Sequence, residues 1–286
     1  MNQDPGQTPL PKGVVYVATG SRHVAEALYS ARSLRRQMPD IPITLYCDLP
    51  ELAACTPDPL FSVVLLQKVH RSCRDKIAPL ARSPYGKTLF LDTDTFVYEA
   101  LYDLFDMLDH YDIALAHAPD RCQYPMPHLP ECFPELNSGV IAYRMNRKVR
   151  NLLAQWDATF SALLDQDSMS YRDQHSLREV LYRSDVRFLV LPPEYNFRTI
   201  VPNFAGRNGR VKIVHGRHAD MSKVAARLNA STNARVSLQH PLRALTHELV
   251  TYESLPESLV NMAFQCLPPR WKKLLSTLRH RCRCRS

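Results

Sequence analysis

Two periods of apolar residues alternate along most of this chain. "GVVYVATGS", from Gly13, is a continuous apolar run that ends in small residues, the pattern of a strand buried on both faces. "RHVAEALYSARSLRRQM" then places Val24, Leu28, Ala31, Leu34 and Met38 on one helical stripe. "PITLYCD" and "FSVVLLQ" predict two more strands, and "RDKIAPLARSPYG" a helix around Ile77 and Leu80 that breaks before Pro84. "KTLFLD" is the next strand, "LYDLFDMLDHYD" a short helix and "IALAHA" a strand. Residues 119–135 hold five prolines and no period, which predicts a long functional or disordered loop. "LNSGVIAYR" resumes as a strand. "NRKVRNLLAQWDATFSALLDQD" follows as an amphipathic helix whose apolar stripe runs from Val149 to Leu164, with Asn146 as its cap. "YRDQHSLREVLYRS" reads as helix, "VRFLVLP" and "VKIVH" as strands, and the chain beyond residue 220 as helical. No internal repeat is visible. Strands alternating with helices predict an α/β fold: one domain with a mostly parallel central sheet covered by helices on both faces.

Composition changes this picture only at the ends. With 286 residues, 45% hydrophobic and 22% charged, the chain has ordinary globular proportions and room for one large core. The start, "MNQDPGQTPLPKG", is polar and proline-rich, without a basic flank or an apolar core of signal type. It reads as a flexible arm over residues 1–12 of a cytoplasmic protein. Eight scattered cysteines without a CxxC pair fit reduced thiols better than a disulfide or zinc framework. The net charge of +8 is local: seven of the 36 basic residues lie in the last seventeen positions, which leaves 29 against 28 acidic groups in the body.

The chemistry lies where apolar strands stop. In parallel α/β sheets, ligands bind beyond the carboxyl ends of the strands, and Thr19, Asp48, Asp92, Asp94, Asn137 and His215 are all expected there. Asp92 and Asp94 close the run "KTLFLDTDTFV". If the strand continues through them, their side chains share a face, roughly 6.5–7 Å apart at Cα. A shared cation explains the placement; a turn cap and a backbone hydrogen bond are the plain alternative. The chain has only eight glycines and neither GxxxxGK[ST] nor GxGxxG, so a phosphorylated ligand must be held by a metal and by side chains.

These pieces together resemble the GT-A-type glycosyltransferases, nearest in pattern to the glycogenin and galactosyltransferase-like group. The resemblance is carried by "VVYVATGS", "KTLFLDTDTFV", "LNSGVIAYR", "YRDQHSL", "PPEYNFR" and "VKIVHGR", in that order. It implies a GT-A (Rossmann-like) catalytic domain over residues 13–220. That domain would transfer sugar from a nucleotide-diphospho-sugar donor, a UDP-sugar by expectation. It also implies that Asp92, Asp94 and His215 bind Mn²⁺ or Mg²⁺, with Asp92 also touching the donor ribose. The imidazole favours Mn²⁺. A cation on both phosphates stabilises the nucleoside diphosphate as it leaves. The same resemblance puts Ala18 and Thr19 near the nucleobase, and Lys76, Thr93 and Arg217 against the donor. It borders the sugar with Asn137 and Ser138 and gives Asp173 and Gln174 a place beside the reacting sugar. Asp173 also reads as a helix N-cap. One departure stands out: "HGRHADMSK" lacks the Lys-Pro-Trp that relatives commonly carry after the late histidine. That leaves the phosphate grip to other groups.

Residues 221–286 read as a helical extension ending in a basic amphipathic tail. In "PRWKKLLSTLRHRCRCRS", Trp271, Leu274, Leu275, Leu278 and Cys282 share a face opposite lysines and arginines. It fits either a helix lying at a membrane surface or one docked on the body. Membrane contact would make a lipid-linked or glycan acceptor natural. Two other classes stand beside the transferase. One is a nucleotidyltransferase, whose glycine-rich loop is missing. The other is a non-catalytic sugar- or nucleic-acid-binding protein using the tail. The neutral body and the lack of a binding module speak against nucleic acid.

Overall fold

In the computed structural model, the structure describes residues 11–53, 58–118, 126, 128–166, 173–199, 202–239 and 247–251. The basic tail, most of the arm and about half of the proline-rich loop lie outside them. The chain opens with strand β1 (Lys12–Ala18), helix α1 (Ser21–Gln37), β2 (Ile43–Cys47), α2 (Pro50–Ala53) and β3 (Phe61–Leu65). A 3-10 turn (Cys73–Lys76) leads into α3 (Ile77–Leu80), β4 (Lys87–Leu91), β5 (Thr95–Val97), α4 (Tyr102–Met107) and β6 (Ile113–His117). Then come β7 (Leu136–Arg144), α5 (Arg147–Gln166), α6 (Asp173–Arg183) and β8 (Phe188–Leu191). A second 3-10 turn (Pro193–Tyr195) precedes β9 (Phe197–Arg198), β10 (Asn203–Ala205), β11 (Ile213–His215), α7 (Met221–Asn229), β12 (Arg235–Gln239) and β13 (His247–Thr251).

Seven strands form the main sheet in the order β3-β2-β1-β4-β7-β6-β8. The pairs β1–β2, β1–β4, β2–β3 and β6–β8 are parallel, and only β7 runs antiparallel to its neighbours. The mostly parallel sheet expected from the apolar runs is therefore present. Its two faces are sorted by the two-residue period of each strand. Val14, Tyr16, Leu89, Leu91 and Val140 point into one core with Val24, Ala27, Leu34 and Phe105 from α1 and α4. Val15, Phe90, Ile141 and Tyr143 point into the other with Ile77, Leu152, Trp156, Phe160 and Leu181 from α3, α5 and α6. Asn146 caps α5 as its sequence predicts: the Val149 amide donates to its Oδ1 at 3.0 Å.

Two features depart from the expectation. The fourth strand stops at Leu91, so Asp92–Asp94 form a turn instead of continuing it. The chain then starts β5, which joins a separate sheet in the order β5-β11-β9. The stretch after residue 220 is helical only in α7 among the described residues; β12 and β13 are strands and extend β10 into a third sheet. Nor does packing change at residue 220. Met221, Ala225 and Leu228 of α7 share a buried cluster with Phe96, Phe197, Ala205 and Val214.

Candidate active site

The small β5-β11-β9 sheet assembles the centre. Because β5 follows the Asp92–Asp94 turn directly, whatever pairs with β5 is brought beside the two carboxylates. Its partner is β11, antiparallel, with His215 opposite Thr95. The Gly216 amide donates to the Asp94 carbonyl at 2.9 Å, in a left-handed backbone (φ 137°) that favours glycine. The late histidine thus reaches the early aspartates through a backbone ladder.

His215 is 3% exposed. Its Nε2 lies 3.3 Å from Asp94 Oδ1 and 3.8 Å from Asp92 Oδ2. One ligand atom from each of the three residues falls within 4.8 Å of the others. Two carboxylates and an imidazole suit a divalent cation such as Mn²⁺, and three protein ligands leave coordination positions for phosphate oxygens. The residues present therefore fit the cation that the resemblance implies. Burial pushes Asp94 up, but the charge and hydrogen bond of His215, with Arg217 and Arg198 behind, outweigh it and hold the carboxyl well below the usual range. Asp92 moves the other way. Burial raises it despite Lys76 and His215, and Asp94 and Asp173 add repulsion.

Gly139 explains the glycine of "NSG". A Cβ there would lie 2.1 Å from His215 Cε1 and 2.8 Å from Asp92 Oδ2. The β7 backbone passes so close beneath the ligands that no other residue fits. The same strand presents Asn137 and Ser138, buried at 1% and 2% exposure.

Lys76 joins the cation site to α6. Its Nζ is 2.8 Å from Asp173 Oδ2, 3.0 Å from Ser138 Oγ and 3.4 Å from Asp92 Oδ1. Burial alone would lower this lysine, yet the charges of Asp173 and Asp92 and the Asp173 hydrogen bond more than compensate, raising it above its ordinary value. The Ser138 hydroxyl also donates to Asp173 Oδ2 at 2.6 Å. The Asp173 carboxylate thus faces Lys76 and Ser138. Beside it, Gln174 Oε1 accepts from Asn137 Nδ2 at 2.6 Å.

One cavity of about 380 Å³ is lined by all twelve residues that the resemblance gives to the donor, the sugar or the cation: Ala18, Thr19, Lys76, Asp92, Thr93, Asp94, Asn137, Ser138, Asp173, Gln174, His215 and Arg217; Asp48 is outside this lining and accepts from the Gly20 amide at 2.7 Å. Asp75 and Arg198, which sequence reasoning missed, line it too. Asp75 accepts from the Thr19 hydroxyl at 3.0 Å and fixes it at the mouth. A third missed group is Glu26 of α1. It takes Arg217 in a two-pronged contact, Nε to Oε1 at 3.0 Å and Nη2 to Oε2 at 3.2 Å, and accepts from Thr93 Oγ1 at 3.1 Å. Arg217 Nη1 lies 3.7 Å from Asp94 Oδ2. The segment that lacks the Lys-Pro-Trp signature therefore supplies a guanidinium at the cation site instead. On the sequence alone, Glu26 and Asp75 look like ordinary solvated charges.

No family model and no curated protein matches the sequence. Solved structures do. The galactosyltransferase LgtC, crystallised with donor and acceptor sugar analogs, superposes with a TM-score of 0.52 at 17% identity, covering 76% of this chain and 94% of that one. An active-site mutant of LgtC gives 0.51 at 15%, covering 76% and 95%. The glycosyltransferase GlyE of Streptococcus pneumoniae TIGR4 gives 0.49 at 16%, covering 65% of this chain and 46% of GlyE, so the chain spans under half of that protein's length. This chain shares the fold of LgtC. No helix among the described residues is long and apolar enough to cross a membrane.

Proposed function

We propose that this protein is a cation-dependent glycosyltransferase that moves a sugar from a nucleotide-diphospho-sugar, a UDP-sugar in the first instance, to an acceptor hydroxyl. The observation that carries this reading is the convergence of Asp92, Asp94 and His215 at the exit of the central sheet, within a fold shared with LgtC. A bound Mn²⁺ or Mg²⁺ would supply Lewis-acid stabilisation of the diphosphate leaving group. Asp92, Asp94 and His215 would hold it. Arg217, steadied by Glu26, offers a second positive charge at the same rim. Asp173 and Gln174, on the far side of Lys76, orient the donor sugar through its hydroxyls. Lys76 sets its ammonium between the buried carboxylates of Asp92 and Asp173. Ala18 and Thr19 border the nucleobase at the end of β1. During transfer the bond from the sugar C1 to the β-phosphate oxygen breaks, and its electron pair stays on the nucleoside diphosphate. The acceptor oxygen bonds to C1, and its proton passes to the departing diphosphate. Action in the cytosol belongs to the same reading and is supported by the free thiols of Cys47, Cys73 and Cys132.

Thermal-shift and calorimetric titration with UDP, other nucleoside diphosphates and UDP-sugars, each with and without Mn²⁺, tests the proposal. Stabilisation that requires Mn²⁺ and a nucleoside diphosphate together is the expected result. Diphosphate binding of equal strength in chelator would remove the cation from the scheme, and no binding of any nucleotide would end it.

A further inference from the structure

We propose that Asn196 is a positioning residue: it fixes His215 with Nε2 open towards the cation site and ties that site to Gln174 in the donor cavity. The inference rests on the cation reading above but concerns a residue outside the cavity wall. Asn196 is 1% exposed and follows the turn Pro193–Tyr195. Its backbone is held there: its amide donates to the Pro193 carbonyl at 3.0 Å, and β9 begins at the next residue, parallel to β11. Its side chain therefore lies directly behind His215, with Oδ1 2.7 Å from Nδ1.

Which amide atom faces which partner is ordinarily a matter of assignment. Here a backbone group decides it. The Gly139 N–H can only donate, and it points at Asn137 Oδ1 at 3.0 Å. That atom must be the oxygen. Asn196 meets the same oxygen at 2.8 Å, so Asn196 presents its NH₂ to Asn137 and its Oδ1 to His215. A carbonyl oxygen only accepts; His215 Nδ1 must therefore carry hydrogen. The lone pair of the neutral ring is then on Nε2, the nitrogen facing Asp94 and Asp92. A ligating histidine whose other nitrogen is tied to a fixed acceptor is a recurrent feature of cation sites, and loss of the acceptor typically costs 10–100-fold in metal affinity.

The chain of bonds does not end there. Asn137 Nδ2 donates to Gln174 Oε1 at 2.6 Å, and Gln174 Nε2 donates to Glu135 Oε1 at 2.7 Å. A backbone donor inside the chain and a carboxylate at its far end leave one consistent orientation for all three amides. A donor sugar that engages Gln174 must act on the same chain that orients His215.

The test uses the full protein and Mn²⁺ alone, with binding read from the loss of the free-ion paramagnetic resonance signal. UDP-sugar affinity in saturating Mn²⁺ is measured separately. Asn196→Ala removes both bonds; Asn196→Asp keeps an acceptor for Nδ1 but loses the donor to Asn137. Asn196→Ala is expected to weaken Mn²⁺ binding about 10–100-fold. Asn196→Asp should recover Mn²⁺ affinity to within about threefold of the parent, with UDP-sugar binding still weakened. Parental Mn²⁺ affinity in Asn196→Ala overturns the proposal. So does equal Mn²⁺ loss in both variants with equal drops in melting temperature, which marks a packing role. If Asn196→Ala fails to fold, Asn196→Asp decides alone: retained Mn²⁺ binding with weaker donor binding supports the assignment, any other pattern overturns it. Asp94→Asn separates the layers. Its failure to lower Mn²⁺ affinity sinks the cation site and this inference with it, whereas loss there beside parental affinity in Asn196→Ala sinks only the role of Asn196.

Discussion

The central sheet buries carboxylates at both ends, and the two ends treat them differently. At the entry to β6, Asp112 is 6% exposed and meets only donors. The Arg187 amide reaches it at 2.9 Å, Asn146 Nδ2 at 2.6 Å and Arg144 Nη2 at 3.4 Å. Burial raises this carboxyl, but those donors outweigh it and hold the group below its ordinary value. At the exit of β4, the carboxylates of Asp92, Asp94, Asp173 and Glu26 share Lys76, Arg217 and one imidazole. There Asp92 is pushed up and Asp94 down. A buried acid surrounded by committed donors is architecture. Acids crowded around shared cations at a cavity, one pushed up and its neighbour down, form the pattern expected where a further charge arrives with a ligand.

That contrast breaks most sharply at Asp94. Asp94→Asn should reduce sugar transfer by roughly three orders of magnitude, the scale of several kcal/mol of lost leaving-group stabilisation. The melting temperature should fall modestly while the fold is kept, because His215 and Arg217 hold the ionised Asp94 carboxyl in a net favourable setting. Nucleoside diphosphate release and thermal unfolding, measured on one preparation, check both halves. Unchanged turnover removes Asp94 from the mechanism.

Lys76 tests how the two kinds of acid depend on their cations. Lys76→Met strands Asp92 and Asp173 in a buried setting, and removing one partner of a buried pair costs about 3–5 kcal/mol. Adding Asp173→Asn should return part of that loss. A Lys76→Met protein as stable as the parent in urea titration would mean that water already screens the cluster.

Asp112 should behave in the opposite sense, costing stability and sparing catalysis. Asp112→Ala leaves the Arg187 amide and Asn146 without their acceptor, worth about 2–3 kcal/mol. Because the folded carboxyl is depressed, its contribution is present above the unfolded value, near about 3.9, and is lost as pH falls through the folded value. The stability gap between parent and variant should therefore be full at neutral pH and close on acidification. A gap that persists unchanged under acid conditions would assign the effect to packing.

The same contrast explains what the sequence made legible. Asp92, Asp94 and His215 each follow an apolar run and so announce themselves at strand ends; Asn137 does not, because it opens β7, whose antiparallel course brings its first residues to the same edge. The sheet that joins them does not. β5 and β11 are three residues each, too short for a period, and "TFV" reads as a continuation of β4. Nothing local marks the turn at Asp92–Asp94, which the pairing of β5 with β11 requires. β12 does carry a local signal, since "RVSLQ" alternates polar and apolar residues as a strand does, although Arg235 and Ser237 are its buried side. Glu26 carries no local signal, and Asn196 only its place within "PPEYNFR". Their importance lies in contacts to residues 19 and 191 positions away, and only tertiary structure creates those.

Arg217 offers the finest test, because it belongs partly to each class of charge. Its side chain is half exposed, paired with Glu26 as a structural ion pair and within 3.7 Å of Asp94 as a functional one. Exposed pairs contribute little, roughly 0–1 kcal/mol, so Glu26→Gln and Arg217→Lys should leave unfolding almost unchanged. A two-pronged guanidinium contact is not reproduced by an ammonium. Arg217→Lys should therefore weaken nucleoside diphosphate binding about threefold to tenfold, and Glu26→Gln somewhat less, since the guanidinium remains but loses its anchor. Calorimetric titration in Mn²⁺ resolves differences of this size. If both variants bind as the parent does, Arg217 serves only to hold α1 against the segment after β11. The positive charge on the leaving group must then come from the cation alone, and the missing lysine of the "HGRHADMSK" segment has no substitute.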